Sequence, residues 1–402
     1  MILTRLSGYS TLCREEQHPF CTPTFNHHPA SSLSSPYALF SLVFSSIIVC
    51  GTVRKVLKST DNFHGTGHVI GGFFVPLGFL VSNMYWILDT LEGHQVPIGS
   101  FASLRNVLGK YAFGGYASLA FFIWVSDCTT MSVRTLETDA DQIETLIRDP
   151  SKPRSKKPLL VQGLDHPLGS SLFCAWTLLL VVLGMVQKPM GGTMLNLGFL
   201  SGVLGLEMFD LRVREWNKDV QVKADENAVK ERIPVPPIPL SFIFLYTLLF
   251  HLLAQRTFFS TGHQRALASI QYEIGFIGME KVNWIVSPLL ILLNTFGGHV
   301  LFSFGLVLIA FWRRPWQDIR MKDVYHVAVC HLVISLLGLC VTTALAGHFR
   351  RHLMVWRVFA PKVIFNGVEV GVAWIALGVA LVCTWRGVQT WTWMLDRLVA
   401  RG

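Results

Sequence analysis

Charged side chains are scarce in this 402-residue chain, where they make up 15% of the sequence. In an average soluble domain about a quarter of the residues are charged. Apolar residues make up 51% here, and the mean hydropathy is +0.45, so a water-soluble globular domain is excluded. The net charge of +9 is carried between apolar runs, where it suits lipid headgroups. Because no Lys/Arg-rich helix or aromatic RNA-binding motif occurs, we expect no nucleic-acid partner.

Motifs for a metal, a nucleotide or a disulfide framework are also missing. The eight cysteines are scattered, without a Cys-x-x-Cys pair, so neither a zinc site nor a disulfide scaffold is encoded. His64 and His68 share a helical spacing but stand alone, and we predict no metal site in this chain. No nucleotide-binding loop and no fixed-period repeat occurs. The first 35 residues lack a charged segment followed by an apolar one, so we do not expect a secretory signal there.

Long apolar runs are what the sequence has instead. A bilayer core about 30 Å thick needs roughly 20 apolar helical residues to cross it. Nine runs of about that length are bounded by charges: Pro36 to Val53, Thr66 to Leu88, Tyr111 to Ser132, Leu168 to Val186, Thr193 to Phe209, Ile238 to Leu253, Trp284 to Phe311, Val324 to His348 and Val363 to Trp385. They predict an all-α polytopic membrane protein, a bundle of about nine transmembrane helices with a range of eight to ten.

The runs also divide the chain. We predict three parts: a disordered, non-cytoplasmic arm over residues 1–35, a multi-pass transmembrane domain over residues 36–390, and a short tail over residues 391–402. The seventh run has 28 residues and would measure about 42 Å as one straight helix. We therefore expect it to tilt strongly, or to break near Pro288 or near Gly297 and Gly298.

The distribution of Lys and Arg predicts the orientation, because these residues collect on the cytoplasmic side of a membrane. With nine crossings, 22 of the 34 cations lie in the segments after odd-numbered spans and 12 lie on the other side. The amino terminus and residues 256–283 are therefore expected outside the cytoplasm. The basic linkers over residues 134–167 and 210–237 are expected inside it.

Ionisable side chains inside apolar runs cost roughly 2.5 to 3.5 kcal/mol each on insertion scales, so those that persist are candidates for function. Glu369 lies in the first third of the ninth run. It is either an inward-facing partner for an arginine or histidine, or a wetted residue near the interface. His251, His299 and His331 lie within or beside apolar runs. For each, a neutral imidazole hydrogen-bonded inside the bundle is favoured over metal binding or proton transfer.

Two segments on the predicted outer side combine polar and aromatic residues. RTFFSTGHQRALASIQYE, over residues 256–273, suits an interfacial helix or a re-entrant turn at the mouth of a cavity. FRRHLMVWRVFAPK, over residues 349–362, is rich in cations for a loop outside the cytoplasm. Arginine forks bind phosphate in a bidentate manner, so phosphate binding is one interpretation of this segment. An interfacial anchor is the other.

These two segments, with LLNTFGGHVLFSFG between them, closely resemble the carboxy-terminal membrane region of the GPI ethanolamine phosphate transferase 3 family. The TGHQ tetrad and the RRHLMVW run stand in the same order as in the family, and the resemblance extends over residues 237–365. TGHQ at this point favours the branch that acts on the third mannose over the branch that acts on the second.

The resemblance implies a transferase of GPI-anchor biosynthesis in the endoplasmic reticulum membrane. Such enzymes move phosphoethanolamine from phosphatidylethanolamine to a mannose of the GPI precursor on the lumenal face. Members of the family also carry a lumenal alkaline-phosphatase-like domain. This domain has a threonine nucleophile and binds a divalent metal, expected to be zinc. We find neither the nucleophile nor the metal-ligand cluster of such a domain in this sequence. We therefore expect this chain to be the membrane region, from a truncated gene model or a split protein, with an open frame upstream of Met1. A small membrane partner subunit is a further expectation.

No catalytic residue and no cofactor is expected in this chain itself. The candidate substrate- and lipid-binding residues are Thr261, Gly262, His263, Gln264, His299, Arg350, Arg351, His352 and Glu369. Two other functions stay open. One is a non-catalytic membrane protein that presents lipid or docks a partner. The other is a small transporter that uses the intramembrane histidines and Glu369, a hypothesis weakened because no inverted repeat is found.

Overall fold

The computed structural model describes residues 36–93, 101–126, 132–135, 159–162, 166–225, 238–265, 269–279, 281–314, 319–349 and 359–401. Helices make up most of these stretches. In chain order they are α1 (Pro36–Ser59); α2, which joins Gly65–Val69, the π-helical turn Ile70–Phe74 and Val75–Gly93; α3, which joins Phe101–Val107, the π-helical turn Leu108–Phe113 and Gly114–Ser126; α4 (Pro167–Met185); α5 (Pro189–Asp225); α6 (Leu240–Ser260); α7 (Val286–Gly305); α8 (Leu308–Phe311); α9 (Met321–His348); and α10 (Ala360–Arg401).

Two other elements are short. A 3₁₀ helix, Tyr272–Phe276, lies between α6 and α7. Strands β1 (Ser132–Thr135) and β2 (Leu159–Gln162) pair antiparallel between α3 and α4, with Ser132 opposite Gln162.

Eight of the described helical segments are long and apolar enough to cross a membrane, with α7 and α8 counted together. A helix satisfies its backbone hydrogen bonds internally, and hydrocarbon, which offers no water, requires this. The prediction of an all-α polytopic membrane protein is therefore confirmed. The predicted third crossing, Tyr111 to Ser132, corresponds to α3, which is helical over residues 101–126.

One end of the bundle carries the TGHQ turn, Thr261–Gln264, and we call it the TGHQ end. Lys188, between α4 and α5, lies 3.0 Å from Glu273 in the segment that follows this turn, measured from Nζ to Oε2. Gly109, near the start of α3, packs directly against Gly278 in the same segment. The end of α4 and the start of α3 therefore both lie at the TGHQ end.

Two hydrogen bonds mark the opposite end of the bundle. Thr60, just after α1, shares a hydrogen bond of 3.3 Å with Ser170 at the start of α4. Arg313, just after α8, donates a hydrogen bond of 2.8 Å to Glu207 of α5. Gly109 near the start of α3 and Ser170 near the start of α4 therefore lie at opposite ends of the bundle.

The structure tests the predicted break in α7 and the predicted end of the transmembrane domain at residue 390. α7 has a non-helical residue at Phe296, with φ −106° and ψ 16°, directly before Gly297 and Gly298. The predicted break near these glycines is confirmed. α10 continues to Arg401, so no break separates the transmembrane domain at residue 390 from the predicted tail. Trp391, at the start of that tail, is 1% exposed and belongs to the main core cluster.

We predict that Gly278→Ala destabilises the chain, because Gly278 has φ +70° and a Cβ there would lie 2.5 Å from the backbone nitrogen of Lys110. A left-handed conformation costs a non-glycine residue about 1–3 kcal/mol, and a backbone atom cannot move aside as a side chain does. The thermal unfolding midpoint of the purified chain should fall by several degrees. Gly115→Ala, in α3 with open space around its Cα, is the control. An equal midpoint for both variants would contradict the prediction.

Candidate functional site

Glu369 lies inside the bundle, on the buried face of α10. It follows Ala360 by nine residues, which is about 14 Å along a helix axis. Phe365 and Val372 precede and follow it by one helical turn, so all three side chains share a face. Phe365 and Val372 pack in one apolar cluster with Phe258 of α6 and Phe296 of α7. The apolar spacing of α10 therefore turns the Glu369 carboxylate inward, where the residue is 7% exposed.

Two polar side chains hold the Glu369 carboxylate. Arg265 donates from Nη2 to Oε2 at 3.2 Å, and Gln255 of α6 donates from Nε2 to Oε1. Arg265 also donates to Oε1 of Gln255 at 2.8 Å, so the three side chains form a closed ring, which we call the Glu369 cluster. Of the two interpretations of Glu369, the structure confirms the inward-facing partner of an arginine. The Arg265 side chain remains 26% exposed, so it links the buried carboxylate to the surface of the bundle.

The TGHQ turn directs Arg265 towards Glu369. Gly262 has φ +92°, a left-handed conformation that suits glycine and reverses the chain after α6. The Thr261 hydroxyl donates to the Phe258 carbonyl at 2.9 Å, which closes the end of the helix. Nδ1 of His263 lies 3.3 Å from the Ser269 carbonyl oxygen, within hydrogen-bond range. These contacts fix the path of the backbone just before Arg265.

The side chains of the tetrad are turned into the protein. Thr261 is 4% exposed and His263 is fully buried. Gln264 is half-buried, and its backbone N–H donates to the Ser269 hydroxyl at 3.0 Å. The described residues that directly follow α6 thus form a turn. Its side chains pack and brace the turn, and Arg265, directly after it, is the residue that reaches the Glu369 cluster.

A small cleft lies beside the Glu369 cluster, between α6, α7, α9 and α10. Its polar lining consists of His251, His299, Ser303, His331, Ser335 and Glu369. Nδ1 of His299 lies 3.6 Å from Oε1 of Glu369, while the His251 and His331 rings are 6.2 Å apart between centroids. Among the residues that the structure describes, no group of three or more His, Cys, Asp and Glu side chains is placed to hold a metal ion.

The structure brings together most of the residues singled out from the sequence. The TGHQ turn, His299 and Glu369 all lie at or below one end of the bundle. Arg350, Arg351 and His352 lie outside the described residues. Sequence reasoning missed Gln255 and Arg265 as members of the site. Gln255 is one helical turn after His251, a spacing that places both on one face of α6, and this signal points to Gln255. No such periodicity points to Arg265, which follows the end of the helix.

Known proteins resemble this chain along most of its length. The family model for the GPI ethanolamine phosphate transferase membrane region matches residues 238–396, a segment that includes the whole Glu369 cluster. GPI ethanolamine phosphate transferase 3 of Saccharomyces cerevisiae is 28% identical over 376 residues, which is 91% of this chain and 32% of that protein. The enzyme of the same name from Schizosaccharomyces pombe is 25% identical over 375 residues, 92% of this chain and 34% of that protein.

A human relative matches a shorter stretch. The human GPI ethanolamine phosphate transferase 3, catalytic subunit, is 32% identical over 184 residues, 35% of this chain and 17% of that protein. The chain thus spans about a third of the length of the fungal relatives. No solved structure matches it. The family model and the fungal relatives confirm the resemblance seen in the TGHQ and RRHLMVW segments, and over residues 238–396 the chain is similar to the membrane region of the GPI ethanolamine phosphate transferases.

Proposed function

We propose that this chain holds lipid substrates for the transfer of phosphoethanolamine from phosphatidylethanolamine to a mannose, the third, of the GPI precursor in the endoplasmic reticulum membrane. The chemical step belongs to a metal-dependent catalytic domain of the longer family members, and a small membrane subunit is an expected partner. The observation that carries the proposal is the Glu369 cluster, an ionic site buried within the segment that matches the family's membrane region.

Burial of an ion pair favours a functional interpretation of this cluster. Taking charges out of water carries a large desolvation penalty, and a buried pair is often no more stable than apolar side chains of similar volume. Packing alone therefore does not explain why Glu369 and Arg265 meet inside an apolar bundle. Ionisable groups at membrane depth mark substrate pathways and ligand sites. A guanidinium that is partly exposed and already oriented can bind a phosphate oxygen without first being ordered.

The other candidates take supporting roles in this proposal. Thr261, Gly262, His263 and Gln264 position Arg265 through the turn, and His299 borders the cleft that receives the lipid. Arg350, Arg351 and His352 are proposed to contact phosphate groups of the substrates, since bidentate arginine contacts suit phosphate. All of these residues are proposed to face the lumen, as the cation distribution predicts.

The proposal is tested with a chimera. The matching region of the Saccharomyces cerevisiae relative is replaced by this chain, and the chimera is expressed in cells that lack their own enzyme. We expect phosphoethanolamine-modified GPI precursor to accumulate with the chimera and not with the chain expressed alone. A chimera that is correctly folded by limited proteolysis yet gives no product would contradict the proposal. Lipid binding without transfer would favour the lipid-presenting module, and protein-dependent solute flux would favour the transporter.

Sidedness is a separate prediction with its own test. We introduce Glu273→Cys at the TGHQ end and Asp61→Cys at the opposite end, in a background whose eight cysteines are replaced by alanine. The side chains of these two acids are 76% and 71% exposed. In sealed microsomes, a membrane-impermeant maleimide should label only the Asp61→Cys variant. Detergent should make both reactive. Labelling of Glu273→Cys in sealed microsomes would place the TGHQ end in the cytosol and remove its access to a lumenal substrate.

A further inference from the structure

The cleft beside the Glu369 cluster carries polar atoms that the protein itself does not satisfy. Nε2 of His299, Nδ1 of His331 and the Ser335 hydroxyl are buried and have no hydrogen-bond partner among the described residues. His299 and His331 are each 2% exposed, and Ser335 is 5% exposed. All three residues line the cleft. Buried polar groups without a partner destabilise a protein, so three of them around one cleft point to a polar ligand.

The hydrogen-bonding groups that line the cleft indicate the charge of that ligand. A hydroxyl and a neutral imidazole each offer a lone pair, and a carboxylate offers only lone pairs. His251, His299, His331, Ser335 and Glu369 thus provide a set of acceptors, with one negative charge among them. A primary ammonium group, with three N–H donors and a positive charge, matches such a set. The imidazoles allow several acceptors to face one donor group without adding further negative charge.

Among the described residues, the cation of the site is Arg265, whose side chain is partly exposed. Glu369 bridges the two regions, because its Oε2 faces Arg265 at 3.2 Å and its Oε1 lies 3.6 Å from Nδ1 of His299 in the cleft. A bound anion would lie beside Arg265 and a bound cation would lie in the cleft. The distance between them would then be about the width of the Glu369 carboxylate group. A phosphate joined to an ammonium through two carbons has this arrangement of charges.

We propose that the cleft binds the headgroup of a zwitterionic phospholipid with a primary amine, the ammonium among His299, His331, Ser335 and Glu369, and the phosphate on Arg265. The inference rests on the proposed function and deepens it by assigning the donor lipid to these residues. Binding exchanges the Arg265–Glu369 contact for two contacts with the lipid. The Gln255 side chain keeps its place between the two charged residues, with its amide N–H on Glu369 and its carbonyl towards Arg265.

The test uses the purified full chain in nanodiscs with a photoactivatable phosphatidylethanolamine as the probe. Unlabelled phosphatidylethanolamine should reduce crosslinking at least about tenfold more effectively than phosphatidylcholine. The trimethylammonium group has no N–H donor and leaves the buried acceptors unpaired, which sites built for hydrogen bonding reject strongly. Phosphatidic acid, which has phosphate without the amine, should compete weakly. Equal competition by phosphatidylethanolamine and phosphatidylcholine would overturn the inference.

Variants test which residues bind the ammonium group and which bind the phosphate group of the lipid. Glu369→Gln should remove most of the preference for phosphatidylethanolamine over phosphatidylcholine, whereas Arg265→Gln should weaken competition by phosphatidylethanolamine and phosphatidic acid alike. Ser335→Ala, which leaves the ion pair intact, should reduce the preference about threefold. Glu207→Gln is the matched control, since Glu207 is also paired with an arginine but lies at the opposite end of the bundle. An unchanged preference in both Glu369→Gln and Ser335→Ala overturns the inference.

The inference and the proposed function fail in different ways. If the chimera needs Glu369 for transfer while the lipid preference is unchanged by Glu369→Gln, the headgroup assignment is wrong and the proposed function stands. If the preference behaves as expected while transfer is unaffected by Glu369→Gln, the lipid site is real and its role in transfer is wrong.

Discussion

Arg265→Met in the chimera should reduce phosphoethanolamine transfer about tenfold to a hundredfold. A hydrogen bond to a charged group contributes about 1.5–3 kcal/mol, and each 1.4 kcal/mol is a factor of ten. The variant loses the proposed phosphate contact, and among the described residues the buried Glu369 carboxylate keeps Gln255 as its hydrogen-bond donor. The measurement is the rate of appearance of modified GPI precursor in microsomes, normalised to the amount of folded chimera.

A double variant separates function from stability in this experiment. Removing one partner of a buried ion pair destabilises a protein, whereas replacing both by apolar side chains is often neutral or stabilising. The chimera with Arg265→Met and Glu369→Met should therefore recover the unfolding midpoint that Arg265→Met loses, and it should still lack transfer. Arg313→Met is the matched control, because it breaks a comparable arginine–glutamate pair at the opposite end and should keep transfer. Recovery of transfer by the double variant would show that the pair is merely structural.

The crossings were predictable from the sequence because one physical rule determines them. A helix must be apolar over about 20 residues to remain in hydrocarbon, and composition alone reveals this. The break in α7 was predictable for a related reason, since Gly297 and Gly298 lack side chains that would stabilise the helix. Hydropathy did not predict that α10 continues beyond residue 390. Trp391, just after that position, packs in the main core cluster, and hydropathy does not reveal which residues pack together.

The candidate site was only partly predictable. Glu369 stands out because an acid within an apolar run is costly, and the sequence restricted its partner to an arginine or histidine. The choice of Arg265 depends on the turn at Gly262, and Arg265 and Glu369 are 104 positions apart in the sequence. Such a contact leaves no local pattern. For the same reason the sequence did not show that Thr261 and His263 brace the turn. Contact between the TGHQ side chains and substrate stays a prediction.

Trp176→Ala should be among the most destabilising substitutions in the bundle. Trp176 is fully buried, its ring centroid lies 4.4 Å from that of Phe199, and its indole N–H donates to the Leu301 carbonyl at 2.7 Å. Two glycines make room for the ring. A Cβ on Gly202 would lie 3.0 Å from the indole, and one on Gly305 would lie 2.7 Å from it. The indole therefore fills the space where α4, α5 and α7 meet.

The expected fall in stability of Trp176→Ala depends on which interactions of the indole ring lipid could replace. Lipid tails are as apolar as leucine, so the loss of hydrophobic transfer energy is small and lost packing dominates. Buried Trp→Ala substitutions cost about 3–5 kcal/mol, and the lower value is expected here. At about 2–4 °C per kcal/mol, the unfolding midpoint of the purified chain should fall by roughly 6–12 °C. Trp176→Phe, which retains most of the volume but loses the donor, should lower the midpoint by less.

Trp385→Ala provides the matched control, because Trp385 is 62% exposed on α10. Exposed substitutions usually change stability by no more than about 0.5 kcal/mol, so its midpoint should stay within about 2 °C of the wild type. If the Trp176→Ala and Trp385→Ala midpoints fall equally, the indole does not anchor the three helices. A selective fall with Trp176→Ala would show that close packing around one buried ring holds α4, α5 and α7 together. Of these helices, α7 carries His299, which lines the cleft beside the Glu369 cluster.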